Sequence, residues 1–213
     1  MSGRLFAIVF VAAITVLLVG IFGDTAVDQW VASNRSPTLE LAAKLISRCF
    51  AWQWLMLVCA IALLLSWRRR WRDWQRLVCV MMVAASLAGL SADFLRGATG
   101  RTRPYYSAAP QGFYGVHDGS QWLITKHAYN SFPSGHTAAI TGLLAPLVFW
   151  RRRFAAFAIP VVCVVAAARV YLGAHHLSDI LAGALLGTIV AVAVFRYARR
   201  RGWLLSDSPA EQA

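Results

Sequence analysis

The sequence predicts an all-α, polytopic membrane domain of six transmembrane helices. Three observations lead there. Apolar residues (AVILMFWYC) make up 59% of the 213-residue chain and charged residues only 14%. The apolar residues fall into six runs, each roughly 17–20 residues, enough to cross a ~30 Å hydrocarbon layer at 1.5 Å per residue. Clusters of arginine stand at the ends of several runs, and the nine Trp suit a lipid–water boundary.

In chain order, the first run is Leu5–Gly23. Only Arg4 precedes it, and no small-x-small cleavage site follows, so it reads as a retained anchor rather than a signal peptide. A polar, half-amphipathic connection, Asp24–Arg48, leads to the second span, Cys49–Trp67. Within it Ser36 and Pro37 have the character of a helix N-cap and first helical residue, so a helix is expected to start there and continue into the second span. The third span is Leu77–Leu95. A loop rich in glycine and aromatics, Tyr105–Pro133, then precedes the fourth, Ser134–Trp150. The fifth and sixth are Phe154–Leu172 and Leu177–Phe195. Gly183 and Gly187 form a small-xxx-small pair suited to close helix packing. Cys49, Cys59, Cys79 and Cys163 lie in or beside apolar runs with no C-x-x-C pair, which reads as four small core residues and not as a redox or zinc motif. The whole is a single domain, 1–205, with a disordered tail at 206–213.

The formal net charge is +12. An excess of this sign suits nucleic acid or an anionic membrane surface. Its distribution selects the membrane and excludes nucleic acid as the partner. With the N-terminus inside, the inner connections carry thirteen arginines and the outer ones eight lysines and arginines. The positive-inside rule then places both termini in the cytoplasm. Short basic inner loops on all-helical spans suit a bacterial inner membrane. Nothing in the sequence specifies an oligomeric state.

Three clusters of reactive residues fall at the outer ends of the predicted helices. Arg96 is followed by Arg103-Pro104. Pro133-Ser134-Gly135-His136 opens the fourth span. Arg169, His175 and Asp179 join the fifth to the sixth. Three guanidinium groups repel one another unless an anion lies between them, and their forks match phosphate oxygens. A charged residue near the end of an apolar helix, such as Arg169, is a functional candidate by default. Ser134 and Gly135 before a helix offer free N–H groups and a hydroxyl to an anion. His175 and Asp179 have i, i+4 spacing, so one helical face would bring the carboxylate to the imidazole and leave its other nitrogen free to attack. His136, from another helix, can protonate a leaving oxygen. Asp93, three residues before Arg96, could instead hold that arginine in a local ion pair. His117, His127 and His176 read as loop or interface residues. A zinc site on His136, His175 and His176 is disfavoured, because a dication would face three arginines.

The three clusters resemble the signature of the type 2 phosphatidate phosphatase family, within the acid phosphatase and vanadium haloperoxidase superfamily. Its pattern is K-x6-R-P, then P-S-G-H, then S-R-x5-H-x3-D, and the resemblance covers about residues 77–195. Two positions depart from it: Arg96 stands for Lys and Ala168 for Ser. The resemblance implies that His175 attacks phosphorus and forms a phosphohistidine, and that Asp179 orients it. It implies that His136 protonates the leaving group and later activates water. Arg96, Arg103, Arg169, Ser134 and the Gly135 N–H would hold the phosphate, with no metal or cofactor.

The implied activity is hydrolysis of a lipid phosphate monoester or pyrophosphate on the periplasmic face. Substrates of that class include isoprenyl pyrophosphates, phosphatidate, phosphatidylglycerol phosphate and lipid A. A non-enzymatic carrier or transporter of anionic lipids is the alternative, and the His–Asp pair argues against it, since binding alone needs no nucleophile. A vanadate-dependent haloperoxidase would use the same cradle, but six spans and an aromatic interface loop favour a lipid.

Overall fold

The computed structural model describes the chain at residues 3–106 and 109–204, with the side chains of 3–13 and 16 excepted. The tail predicted to be disordered, 206–213, lies outside the described residues. Among them the chain is helical, with no strand beyond two isolated bridges. Seven helices follow in order: α1 Gly3–Ser33, α2 Pro37–Cys49, α3 Trp52–Arg68, α4 Arg72–Thr99, α5 Gly135–Trp150, α6 Ala155–Tyr171 and α7 Leu177–Arg200.

The count of spans differs from the prediction. Among the described residues three segments are long and apolar enough to cross a membrane: Arg72–Thr99, Arg152–Tyr171 and Leu177–Arg200. A fourth arises if α2 and α3 count as one span bent by 51°. The expected helix running from Pro37 into the second span is therefore broken, at Phe50 and Ala51. The predicted first span falls largely on side chains outside the described ones. The predicted fourth span is α5, and its 16 residues reach only ~24 Å at 1.5 Å per residue. It is the central post of the bundle, packed by α4, α6 and α7.

Residue size grades along this post. Toward the C-terminal end of α5 the core is bulky: Leu77, Met81, Ile140, Leu147, Val165 and Phe195 cluster there, with Trp74 edge-on to Trp150. Toward the N-terminal end of α5 it is small, with Ala88 and Ala92 of α4 packed around Ala138 of α5. Here α7 approaches α5 so closely that a Cβ on Gly183 would lie 2.5 Å from the Ser134 carbonyl oxygen, and one on Gly187 2.5 Å from that of Ala138. On the other flank, a Cβ on Gly142 would meet the Ala84 carbonyl oxygen at 2.9 Å. The small-xxx-small pair thus brings the start of α7 against the start of α5.

The cysteines are corrected in part. Cys59 is buried, but Cys49 and Cys163 are exposed on the outside of the bundle and Cys79 is intermediate. A thiol is as compatible with a lipid-facing surface as with a core.

The loop between α4 and α5 folds over the bundle end where α4 finishes and α5 and α7 begin. Leu123 plugs it and is fully buried, and paired rings stiffen it: Phe113 with Phe132, Tyr114 with Tyr129, and Tyr106 with His127.

Candidate active site

The structure brings all three clusters together where α4, α5, α6 and α7 open outward. α5 begins at an N-cap, Ser134, whose backbone is extended. Its Oγ lies 3.1 Å from the Thr137 hydroxyl that donates to it, and its N–H donates to the Asp179 carbonyl oxygen at 3.0 Å. Ser134 therefore spends its oxygen on capping, as N-cap serines do. Gly135 follows, and a Cβ there would lie 3.4 Å from the Arg96 guanidinium carbon. The absent side chain lets that cation sit against the start of the helix.

His175 is wholly buried. Its Nδ1 lies 2.8 Å from the Ser131 carbonyl oxygen. A carbonyl only accepts, so Nδ1 carries the proton and Nε2 keeps its lone pair. Nε2 is buried and has no hydrogen-bond partner among the described residues. Burial also holds the imidazole below its ordinary pKa, at about 4, against the opposing pull of Asp179. The ring is thus neutral near pH 7, with a bare nitrogen.

Asp179 lies beside this ring but not by the route expected. α7 begins at Leu177, so His175 sits in the turn before it and shares no helical face with Asp179. The carboxylate Oδ2 is 3.7 Å from Nδ1. Its hydrogen bonds come from elsewhere: the Ser131 hydroxyl, the His176 N–H at 2.8 Å and Arg101 Nη1 at 2.5 Å. Ser131 is the link, since its hydroxyl holds Asp179 while its carbonyl holds the ring.

Arg169 and Arg103 lie close enough for their charges to act on the His175 ring. Arg103 donates through Nη2 to the Asn130 carbonyl oxygen at 3.0 Å, and Arg169 donates through Nη1 to the Ser47 hydroxyl at 2.6 Å. Neither pairs with a carboxylate among the described residues, and the Nε of each is buried without a partner. Burial pulls Arg103 down to about 10, with the charges of Arg169 and Arg96 adding to it. Such a group relieves its cost by gaining an anion. Arg96 pairs with Asp93, as the local alternative expected, while also lying against Gly135. His136 is largely enclosed near Ser47, within the field of Arg169, His175 and Arg96.

A cavity of about 480 Å³ adjoins this cluster. Its polar lining includes Arg96, Gly135, His136 and Asp93, and its apolar lining includes Phe50, Trp52, Leu90 and Ala139. It opens at the α2–α3 elbow.

Residues 74–203 match the family model described as the PAP2 superfamily. The chain belongs to the PAP2 superfamily. A lipid phosphate phosphatase 1 of Arabidopsis thaliana is 30% identical over 139 residues, which are 54% of this chain but only 42% of the plant protein. A lipid A 4'-phosphatase of Porphyromonas gingivalis is 27% identical over 169 residues, 75% of this chain and 67% of its own. Among solved structures, the PAP2-type phosphatidylglycerolphosphate phosphatase of Bacillus subtilis superposes with a TM-score of 0.63 at 19% identity, covering 89% of this chain and 96% of that one. The likeness at that identity is one of fold.

Within the PAP2 frame, the two departures have distinct settings. Arg96 keeps a cation in the cluster. Ala168 lines an apolar groove with Ile46, Thr137 and Leu181. Four residues escaped the sequence reading: Arg101, Ser131, Ser47 and Asp24. Arg101 had counted only as an outer positive charge. Asp24 and Asp28, at the end of an apolar run and four residues apart, carried a signal, because carboxylates there call for partners. His176, expected in a loop or interface, is the buried N-cap of α7, bonded to Asp28 at 2.7 Å and to the Thr102 carbonyl oxygen at 3.1 Å.

Proposed function

We propose that this PAP2 protein is a lipid phosphate phosphatase that works through a phosphohistidine on the outer face of a bacterial inner membrane, with both termini cytoplasmic. One observation carries the reading: a neutral imidazole keeps a bare, buried Nε2 within the field of Arg103 and Arg169, neither of which has a carboxylate of its own among the described residues. A carrier would need the cations but gains nothing from the nitrogen. The lipid phosphatase names of the relatives agree with it.

In the proposed reaction the Nε2 lone pair forms a bond to phosphorus as the bond from phosphorus to the lipid oxygen breaks. Nδ1 passes developing positive charge toward the Ser131 carbonyl and Asp179. His136 gives its proton to the departing oxygen. Since His136 lines the cavity at the α2–α3 elbow, the lipid portion occupies that cavity, with its chain against Phe50, Trp52 and Leu90. Neutral His136 then takes a proton from water, which attacks phosphorus and breaks the N–P bond, releasing inorganic phosphate. Arg96, Arg103, Arg169 and the N–H groups at the start of α5 stabilise the charge on the three equatorial oxygens. Ser134, whose oxygen already accepts a cap bond, contributes its hydroxyl proton.

The deciding experiment is phosphate release from a panel of phosphatidate, phosphatidylglycerol phosphate, an isoprenyl pyrophosphate and lipid A, with wild type and His175→Ala. Turnover and covalent labelling by ³²P-lipid are expected in the wild type and absent in the variant. Wild-type turnover that persists in His175→Ala would refute the mechanism. Orientation is tested by a single cysteine at Gly119, which should label in intact cells without permeabilisation.

A further inference from the structure

We propose that Arg101 is a positioning residue for the nucleophile, tied to Asp24 of α1, so that a helix contributing no group to the phosphate cradle sets the aim of His175. The inference rests on the assignment of His175 as nucleophile.

Arg101 is 7% exposed, and each arm of its fork has a defined partner. Nη1 donates to Asp179 Oδ1 at 2.5 Å and to the Ser178 hydroxyl at 2.6 Å. Nη2 donates to Asp24 Oδ2 at 2.7 Å. The Phe113 ring covers it, with the guanidinium carbon 4.9 Å from the centroid. Asp24 in turn accepts from the Ser178 N–H at 2.8 Å and the Ser178 hydroxyl at 2.7 Å, and so satisfies a free donor in the first turn of α7 from a different helix. Four groups therefore close a ring: Asp24, Arg101, Asp179 and Ser178. One exit leads from the ring to the nucleophile, from the Asp179 carboxylate through the Ser131 hydroxyl to the residue whose carbonyl holds His175 Nδ1.

The chemistry favours this assignment over a purely structural pair. A planar fork fixes two carboxylates in relative orientation, which a point charge cannot do. Asp179 already accepts from Ser131 and the His176 N–H, so Arg101 on Oδ1 fixes the remaining rotation of the carboxylate. Partners one step removed from a reacting group typically change activity by about 10–100-fold when lost. Asp24 also lies outside residues 74–203, the part that matches the PAP2 superfamily. This tether belongs to the chain's own N-terminal helix.

The test compares two oxyanions in binding to the full-length protein in detergent. Inorganic phosphate needs only the arginine cradle. Orthovanadate also accepts the Nε2 lone pair as a fifth ligand, so the ratio of the two affinities reports the aim of His175. Calorimetric titration of wild type, Arg101→Lys, Asp24→Asn and His175→Ala is expected to show vanadate bound more tightly than phosphate in the wild type. Arg101→Lys and Asp24→Asn should each lose about tenfold or more of vanadate affinity, with phosphate affinity held within about threefold. Asp24→Asn keeps the size of the side chain, so it serves should Arg101→Lys not fold. Ser131→Ala, which leaves the ring of four intact and cuts its exit, should show the same split. An unchanged ratio in both Arg101→Lys and Asp24→Asn, or a parallel loss of both anions, would overturn the positioning role. A vanadate preference that survives His175→Ala would instead overturn the assignment of the nucleophile.

Discussion

Arg101 and Arg103 stand two residues apart on one extended stretch, and their surroundings are opposite. Arg101 turns toward α1 and α7, where Asp24 and Asp179 neutralise it. Arg103 turns toward Arg169 and Arg96, where burial and like charge act against it together. Residues two apart are sent to the same side only in a regular strand, and no strand runs through 101–103, where Arg101 makes only an isolated bridge with Phe113. The lesson is that arginine at the mouth of this helical bundle has two settings. One is consumed inside the protein to hold a carboxylate, and stabilises the fold. The other is left short of countercharge, and destabilises the fold until an anion arrives.

The widest separation between the two comes from stability. Replacing Arg101 with Leu leaves Asp24 and Asp179 buried with no cation, which costs about 3–5 kcal/mol. A large fall in Tm should result, with loss of the folded-protein peak in size-exclusion chromatography at modest temperature. Arg103→Ala should do the reverse, raising Tm slightly while lowering kcat by about 10²–10³, the effect of one lost oxyanion donor. The same variant should lose most of the rise in Tm that inorganic phosphate gives the wild type. A fall in Tm for Arg103→Ala would erase the contrast.

Acidity sharpens it at His175, the proposed nucleophile. The folded-state pKa of His175 is about 4 against 6.5 for the free group, burial being the main cause. The unfolded chain therefore takes up the proton first as the pH drops. The stability that neutral His175 allows is complete above pH ~6.5 and is lost progressively toward pH ~4. Denaturation midpoints measured across that window should decline, and His175→Asn should flatten the decline. The acid limb of kcat/KM for the group assigned as nucleophile should likewise lie well below 6.5.

The smallest effect belongs to Asp93, whose side chain is mostly exposed where it pairs with Arg96. An exposed pair is worth about 0–1 kcal/mol, so Asp93→Ala should change kcat less than about threefold. Arg96→Ala should cost about 2–4 kcal/mol in the transition state, and Arg96→Lys should retain most activity because the charge persists. Equal behaviour of Asp93→Ala and Arg96→Ala in steady-state kinetics would assign Arg96 to the pair and not to the phosphate.

Much of this was legible in the residues. Helical periods, arginine-bounded apolar runs and the three motif clusters placed His136, His175, Arg96, Arg103 and Arg169 at one end of a bundle, and the structure gathers them there. Length did not show that α5, with 16 residues, is the helix that α4, α6 and α7 pack around. The elbow at Phe50 and Ala51 was hidden because neither Gly nor Pro marks it.

The i, i+4 argument for His175 and Asp179 reached the right neighbours by the wrong geometry, since the helix starts two residues after His175. By itself, then, the sequence determined the all-helical character, the family and the chemical types at the site. Those depend on local pattern and on side-chain chemistry, both written in consecutive residues. Only the tertiary structure decided which arginine is neutralised and which is left exposed to its own kind. It likewise decided that a backbone carbonyl at Ser131 sets the His175 tautomer, and that Asp24 reaches Ser178 across 154 positions. Countercharge inside a protein is set by distance in space, and no spacing along the chain records it.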